Sequence, residues 1–463
     1  MPTMKDVAAH WRPAWRPTGD RADRLVVLAA AMVAFKFSNW QFLSQRVPGR
    51  AALLANLVLE YIAFVAFCAL IVVALRRPLP RLVARLRPRR LLAMSPLFSL
   101  LALLLVVATL APPIARGTEL LDDANAMAVC GARAIAAGAD PYQVAEVSCL
   151  TSFHLPLTLA TPLKVGPLAS VPVYPTPEQI ATAASRPGQA GLHQFSPLGK
   201  PPLTPVVMVP VAHLPTWART AWTLLPVLVL LLALGAAAGP LWPAVGALFL
   251  LTLFLNGSAV NFAANGNGES FAYVLMALSV LWIRRPAISA VLLALAVGSN
   301  QLAWFFVPTY ILLAADLGFW RRRVAAGVIT LLVTVGPWLI RYPDALPTIL
   351  GNLRAHTFPL GSGPITLVLA GFVSPPSRTL LLGLTAAAMV AIWLWGALSP
   401  RYRIAASVLV LAGFWLSWRS LDEYLAQIPL LALVAVLALY GSHAPPGRAE
   451  PIATGPRTSD AGG

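Results

Sequence analysis

The sequence predicts an all-α integral membrane protein with about twelve transmembrane helices and a large extracytoplasmic loop region. Of its 463 residues, 58% are hydrophobic and 11% are charged, whereas soluble domains carry roughly 25% charged residues. Apolar runs near the length of about 20 residues that a helix needs to cross a bilayer recur along the chain. Clusters of arginine separate these runs, as they do on the cytoplasmic side of membrane proteins.

The net charge of +17, from 34 basic and 17 acidic residues, fits the same fold class. On a soluble protein such a charge would indicate nucleic-acid binding. Because the arginines stand in short clusters between apolar runs, the charge here indicates membrane orientation. We therefore expect membrane lipids and no nucleic acid as partners, in a bacterial plasma membrane.

The apolar runs, in chain order, define the predicted spans. They lie near 25–44, 51–75, 91–113, 218–238, 243–256, 270–283, 286–299, 300–317, 324–340, 378–398, 404–419 and 424–441. Several runs between 243 and 299 are short, so the expected number is about ten to fourteen. If the arginine clusters after the second run and near 284, 322 and 402 are cytoplasmic, the spans alternate consistently and both termini lie inside.

This alternation divides the chain into seven segments. They are a cytoplasmic N-terminal segment (1–24), three transmembrane helices (25–113), an extracytoplasmic loop region (114–217), central transmembrane helices (218–340), a second extracytoplasmic loop (341–377), C-terminal transmembrane helices (378–441) and a disordered cytoplasmic tail (442–463). Because the polar residues are concentrated in the two outer loops, we expect the chemistry on that side.

The loop region is predicted to begin with a helix. Asp122 and Asp123 open an alanine-rich stretch, and Gly138 closes it. Prolines crowd the residues that follow, so we expect loops and short helices such as 177–185. The two carboxylates have two interpretations: they cap the helix and meet its dipole, or one of them is a general base.

The segment GTELLDDANAMAVCGARAIAAGADPYQ, residues 117–143, resembles the first extracytoplasmic loop of the GT-C superfamily of membrane glycosyltransferases. The similarity is to the bacterial polyprenyl-phosphate-mannose-dependent branch, in which an aspartate at the exit of an early helix precedes G-x-D-P-Y. The matching residues are Asp123, Gly138, Asp140, Pro141 and Tyr142. The tyrosine that commonly follows the aspartate is replaced here by Met127.

Two further segments are similar to the same superfamily. Residues 265–308 contain an Asn-Gly turn, an apolar helix, a basic turn, a glycine-containing helix and a polar residue before an aromatic-proline segment. Residues 418–431, WRSLDEYLAQIPLL, form a weaker match. The three segments occur in the family's order and face the same predicted side.

The resemblance implies a GT-C-like fold and a glycosyltransferase, a hexosyl- or pentosyltransferase. Its donor would be a polyprenyl-phosphate-linked sugar, mannose-like or arabinose-like, and its acceptor a lipid or cell-envelope glycan. Asp123, or else Asp122, would be the base. Two alternatives stay open: a transporter or flippase for a lipid-linked sugar, and a catalytically inactive scaffold of an envelope-assembly complex.

Other residues predicted to face outward are candidates for the remainder of the site. The donor-phosphate candidates are Arg341, Arg354, His356 and Arg419, since a leaving phosphate needs cations. The sugar-binding candidates are Glu269, Gln301 and Tyr142. Each of these residues has an alternative interpretation: it is a solvated charge, or it hydrogen-bonds to backbone groups at a helix end. No cofactor is predicted. Asp122 and Asp123 are possible ligands of a divalent metal, but two carboxylates alone rarely complete a metal site.

Two pairs are expected to be structural. Lys36 and Glu60 lie near mid-membrane on the first two predicted helices, and we expect an ion pair, with a proton or ion pathway as the alternative. Cys130 and Cys149 lie in the loop region, where an oxidising compartment would allow a disulfide; two free thiols are the alternative.

Overall fold

The computed structural model describes residues 19–38, 50–78, 123–186, 195–252, 255 and 258–440, with a few positions between 96 and 107. Several predictions lie outside the described residues. These are most of the run 91–113, Asp122, the arginines between 81 and 90, and the tail 442–463.

The described chain is all-α except for one pair of two-residue strands. Its α-helices are α1 (Gly19–Ser38), α2 (Arg50–Leu75), α3 (Asp123–Ala136), α4 (Glu146–Ser152), α5 (Pro177–Ala184), α6 (Leu203–Met208), α7 (Thr216–Ala238), α8 (Trp242–Leu251), α9 (Ala259–Ala264), α10 (Glu269–Leu281), α11 (Pro286–Val297), α12 (Leu302–Ala314), α13 (Trp320–Thr334), α14 (Gly336–Arg341), α15 (Ala345–Arg354), α16 (Ile365–Leu369), α17 (Arg378–Leu398), α18 (Arg403–Leu409), α19 (Asp422–Leu425) and α20 (Gln427–Leu439). Short 3-10 helices cover Pro141–Gln143, Leu157–Leu159, Gly166–Leu168, Val209–Val211, Gly239–Leu241, Ala315–Leu317 and Val410–Leu416. The strands β1 (Leu360–Gly361) and β2 (Arg419–Ser420) pair in parallel.

Five helical segments of the described chain are long and apolar enough to cross a membrane. They are Arg50–Leu75, Thr216–Leu251, Trp320–Arg341, Arg378–Leu398 and Asp422–Leu439. Four shorter apolar helices accompany them: Glu269–Leu281, Pro286–Val297, Leu302–Leu317 and Arg403–Leu416. A helix of 13 residues rises only about 20 Å, less than the roughly 30 Å of a hydrocarbon core.

The apolar helices pack around α20, which is the centre of the larger hydrophobic core. Almost every residue of α20 is buried, and α1, α7, α10 and α18 all contact it. In contrast, the buried residue of α13 is Arg323, so this helix lies at the periphery. Arg323 donates to the Tyr310 hydroxyl and to the Ile283 carbonyl, at 2.6 Å each.

The loop region has a smaller hydrophobic core of its own. Buried residues of α3, α4 and α5 form it together with Phe195, Leu198 and Phe358. As predicted, a helix covers the alanine-rich stretch: α3 is described from Asp123 onward and ends before Gly138, whose φ of +75° suits glycine. The second predicted helix of this region is α5, which a capping box between Thr176 and Gln179 begins.

A disulfide joins Cys130 on α3 to Cys149 on α4. Of the two states that the sequence left open, the structure therefore has the bonded one. The bond ties together the two short helices that pack against each other at the base of the loop region.

The predicted Lys36–Glu60 ion pair does not form in the structure. The helices α1 and α2 do pack against each other, but Glu60 is buried and its carboxyl lies near the Gly363 backbone. Lys36 is exposed, and the carboxylate that acts on it electrostatically is Asp422. Position along a helix fixes the depth of a residue in the membrane but not the direction in which its side chain points, so the two side chains need not meet.

Candidate functional site

A cavity of about 390 Å³ lies where the loop region meets the ends of several apolar helices. Its polar wall comes from α3, α4 and residues 196–200. Its apolar wall is formed by Leu302, Phe305, Leu382, Phe414 and Leu421. Three carboxylates and three cations line it: Asp123, Glu146 and Glu423, with Lys200, Arg378 and Arg419.

Asp123 is half-buried at the start of α3 and lines this cavity. One carboxylate oxygen, Oδ1, accepts a hydrogen bond from the Ala124 backbone N–H at 2.8 Å. The other, Oδ2, accepts one from the Thr161 hydroxyl. The Asp123 carboxylate thus contacts the backbone of α3 and also lines the cavity, so its position is compatible with the catalytic interpretation.

Glu146 at the start of α4 lines the cavity beside Asp123 and is 3% exposed. Its Oε1 accepts a hydrogen bond from the Thr161 backbone N–H at 2.8 Å. Burial raises the pKa of the Glu146 carboxyl well above its ordinary value, and the neighbouring Asp123 carboxylate raises it further. The protonated form of the Glu146 carboxyl is therefore favoured.

Lys200 carries a positive charge into the cavity from the loop before α6. Its Nζ lies 2.5 Å from Oε1 of Glu269. Burial alone would lower the pKa of Lys200, but the carboxylates of Glu269 and Glu423 raise it above its ordinary value. The side chain therefore stays charged although it is largely buried.

The loop that carries Lys200 is held at a fixed depth by close contacts. Gly199 packs so tightly that a Cβ there would overlap the Asn352 amide, and its carbonyl accepts from Gln301 Nε2. The hydroxyl of Tyr142 donates to the Lys200 carbonyl at 3.2 Å. Tyr142 itself follows a turn in which Asp140 Oδ1 accepts from the Tyr142 N–H at 2.9 Å.

Arg419 and Arg378 are the two guanidinium groups of the cavity wall. Arg419 lies on β2, directly after Trp418, whose Nε1 donates to the Thr357 carbonyl at 2.8 Å. The strand pairing requires glycine at Gly361, where φ is +117° and a Cβ would overlap the Ser420 backbone. Arg378 begins α17 and donates to the Arg354 carbonyl at 2.9 Å.

The structure brings together only some of the residues that the sequence proposed. Asp123, Gln301 and Arg419 line the cavity. Glu269 lies directly behind its wall: besides Lys200, it accepts hydrogen bonds from Asn300 Nδ2 at 2.7 Å and from the Tyr273 hydroxyl at 3.0 Å.

Four predicted residues lie away from the cavity wall. Tyr142 is buried and contacts Lys200 through its hydroxyl. Arg341, Arg354 and His356 are exposed, and the backbone carbonyls of the last two, rather than their side chains, hold the neighbouring segments. In the loop that precedes α16, Gly361 packs against β2 and Gly363 against Trp415, and the side chains of Arg341, Arg354 and His356 stay outside the cavity wall.

Glu146, Lys200, Arg378 and Glu423 are the charged cavity residues that sequence reasoning missed. A signal existed for two of them. Glu146 is the one acidic residue between Asp140 and Glu178, and Lys200 stands alone among Pro197, Gly199 and two further prolines. Arg378 carried no such signal, because an arginine at a helix start next to the membrane is common on interfaces.

Within the part of the chain that the structure describes, no group of three or more His, Cys, Asp or Glu side chains is arranged to hold a metal ion. Asp123 and Glu146 form a pair of carboxylates only. A scan against protein-family models finds no matching family. Searches of curated proteins and of solved structures find no similar protein.

Proposed function

We propose that this protein transfers a sugar from a polyprenyl-phosphate donor to a hydroxyl group of a lipid or cell-envelope glycan acceptor. The observation that carries the proposal is the composition of one cavity. A carboxylate suited to act as a base, Asp123, and two guanidinium groups line the same space as apolar helix surfaces. This combination fits a ligand that has a sugar, a phosphate and a hydrocarbon tail.

The apolar wall and the cations fit the donor. Leu382, Phe414 and Leu421 offer hydrocarbon surface next to the guanidinium groups of Arg378 and Arg419. An isoprenoid tail would lie along the former, and the phosphate would contact the latter, since arginine binds phosphate through paired N–H donors. Lys200, Gln301 and Asn300 are donors within the same cavity for sugar hydroxyls.

The proposed reaction is one displacement at the anomeric carbon of the sugar. The acceptor hydroxyl gives its proton to Asp123 while its oxygen forms the new bond to that carbon. The bond from the carbon to the phosphate oxygen breaks, and polyprenyl phosphate leaves with the electron pair. Arg378 and Arg419 stabilise the negative charge that develops on the phosphate.

We further propose that the protein has a GT-C-like arrangement of about twelve spans in a bacterial plasma membrane, with the cavity facing outward and both termini in the cytoplasm. The five long apolar helices support a membrane location. The bond between Cys130 and Cys149 is in keeping with a loop region in an oxidising compartment.

The experiment that tests the function is sugar transfer by purified protein in liposomes. Synthetic polyprenyl-phosphate mannose and polyprenyl-phosphate arabinose would be supplied with extracted envelope lipids and glycans as acceptors. We expect transfer from one donor by the wild type, and a loss of at least about 100-fold in Asp123→Asn, because a general base contributes 10²–10⁴-fold.

Asp140→Asn is a matched control, because Asp140 accepts a hydrogen bond from the Tyr142 N–H and does not line the cavity. It should retain transfer. Transfer that survives unchanged in Asp123→Asn would contradict the proposed role of the base. No transfer from either donor, together with movement of the intact lipid-linked sugar across the bilayer, would favour the flippase alternative; neither activity would favour the scaffold.

A further inference from the structure

The carboxyl groups of Asp123 and Glu146 meet at one wall of the cavity and share one donor residue. The Thr161 hydroxyl donates to Asp123, and the Thr161 backbone N–H donates to Oε1 of Glu146. The second oxygen of Glu146, Oε2, is buried and has no hydrogen-bond partner among the described residues. The Ser196 backbone N–H, which also acts on this carboxyl, donates to the Thr161 carbonyl at 3.1 Å. A buried carboxylate oxygen without a donor is costly, and a proton on it removes this cost.

The Asp123 carboxyl is the neighbouring acidic group: it shares Thr161 as a donor with Glu146, and its charge raises the pKa of the Glu146 carboxyl. Two carboxylates can hydrogen-bond to each other only if one of them is protonated. Among the described side chains, no cation lies within ion-pair distance of Glu146. Glu146 is also the more buried of the two, so the proton is better placed on it than on Asp123.

The other titratable and charged groups around the pair do not replace this proton. Tyr174 lies within electrostatic range of both carboxyls and of Arg419. Arg133 on α3 stacks on Phe153 and donates to the Ala212 carbonyl. Lys200 is bound to Glu269, and Arg378, across the cavity, donates to the backbone at Arg354.

We propose that Asp123 and Glu146 hold one proton between them, and that the protonated Glu146 orients the Asp123 carboxylate toward the acceptor hydroxyl. Glu146 is then a positioning residue for the base. The inference rests on the proposed function for the role of Asp123, whereas the sharing of the proton is independent of any activity. When Asp123 takes the proton of the acceptor hydroxyl, the pair holds two protons, and it releases one to solvent before the next turnover.

Under this proposal the pair loses its two protons in separate steps as the pH rises. Transfer should rise with pH as the first proton leaves and Asp123 becomes a base. It should fall again as the second proton leaves, because Glu146 then loses its hydrogen bond to Asp123 and repels it. The expected pH profile is bell-shaped, with a plateau where one proton remains.

The variant Glu146→Gln tests whether residue 146 acts by orienting Asp123 or by losing a proton. Its amide oxygen can accept from the Thr161 N–H, and its amide nitrogen can donate to Asp123 in place of the protonated oxygen. We expect it to retain most of the transfer at neutral pH and to lose the alkaline limb of the profile. Glu146→Ala, which keeps neither contact, should lose about 100-fold, since small misplacements of a catalytic group cost that much.

Infrared spectroscopy of the purified protein gives a readout that needs no activity. The infrared difference spectrum of the wild type minus Glu146→Gln at neutral pH should contain the C=O stretch of a protonated carboxyl, because the bands of other buried carboxyls such as Glu60 cancel in the difference. A difference spectrum without that band overturns the shared proton while leaving the proposed function intact. The expected difference band in a protein without transfer activity would leave the shared proton standing and refute the proposed function.

The kinetics of the Glu146 variants also test the positioning role and the shared proton. Equal losses in Glu146→Gln and Glu146→Ala, or an alkaline limb that persists in Glu146→Gln, would overturn the positioning role. Activation of the wild type by Mn²⁺ that Glu146→Gln abolishes would overturn the shared proton as well, and would make the two carboxylates ligands of a metal.

Discussion

Residues near the cavity differ in whether their side chains line it or lie outside it. Arg419 and Arg341 were equivalent in the sequence, as arginines predicted to face outward. In the structure Arg419 is half-buried in the cavity wall, whereas Arg341 is exposed at the end of α14, with its guanidinium over the Tyr342 ring. The distinction arises from the pairing of β2 with β1, which no local pattern encodes.

Arg419→Gln should weaken the use of the donor. A hydrogen bond to a charged group is worth about 1.5–3 kcal/mol, so kcat/KM for the donor should fall about 10- to 100-fold. Steady-state kinetics at varied donor concentration measure this. Arg341→Gln is the matched comparison and should leave kcat/KM unchanged; equal losses in the two variants would refute the assignment of the phosphate to Arg419.

Secondary-structure elements are where the sequence was most informative. Local apolar runs and proline positions determine helices, so the described apolar runs correspond to helices in the structure. The short helices α3 and α4 depend in addition on a covalent bond. Their disulfide lies within about two helical turns of Asp123 and one of Glu146, and it therefore holds the two carboxyls at a constant separation.

Removal of this disulfide should lower both stability and transfer. In Cys130→Ser with Cys149→Ser, the closed loop of sequence separation 19 is opened, and loops of this size contribute about 3 kcal/mol. We expect a lower thermal unfolding temperature and a lower kcat. Cys68→Ala, which removes the free thiol on α2, controls for general effects of cysteine loss; a double variant as stable and active as this control would contradict the prediction.

At the scale of the whole molecule, two cores meet at one cavity. The larger core consists of apolar helices around α20, and the smaller one belongs to the loop region. Asn125 of α3 donates to the Asn265 carbonyl at 2.9 Å and links them. A site at the junction of an apolar and a polar layer suits a substrate with a tail in lipid and a reacting group in water.

The orientation proposed for this arrangement predicts a labelling pattern. In a Cys68→Ala background, single cysteines would be introduced as Glu178→Cys on α5 and Arg322→Cys on α13, both at exposed positions. A membrane-impermeant maleimide should label the first in intact spheroplasts and the second only after permeabilisation. The reverse pattern would place the loop region in the cytoplasm and contradict the outward-facing cavity.

The sequence by itself determined the all-α membrane class, the positions of most helices, and a helix containing Asp123 in a proline-rich loop region. These properties follow from composition, apolar run length and proline, which act locally along the chain. Only the tertiary structure decided that Glu146, Lys200 and Arg378 line the cavity with Asp123, that Glu60 does not pair with Lys36, and that the cysteines are bonded. Such contacts join residues far apart in sequence, and they depend on the rotation of each helix about its axis, which hydrophobicity alone does not fix.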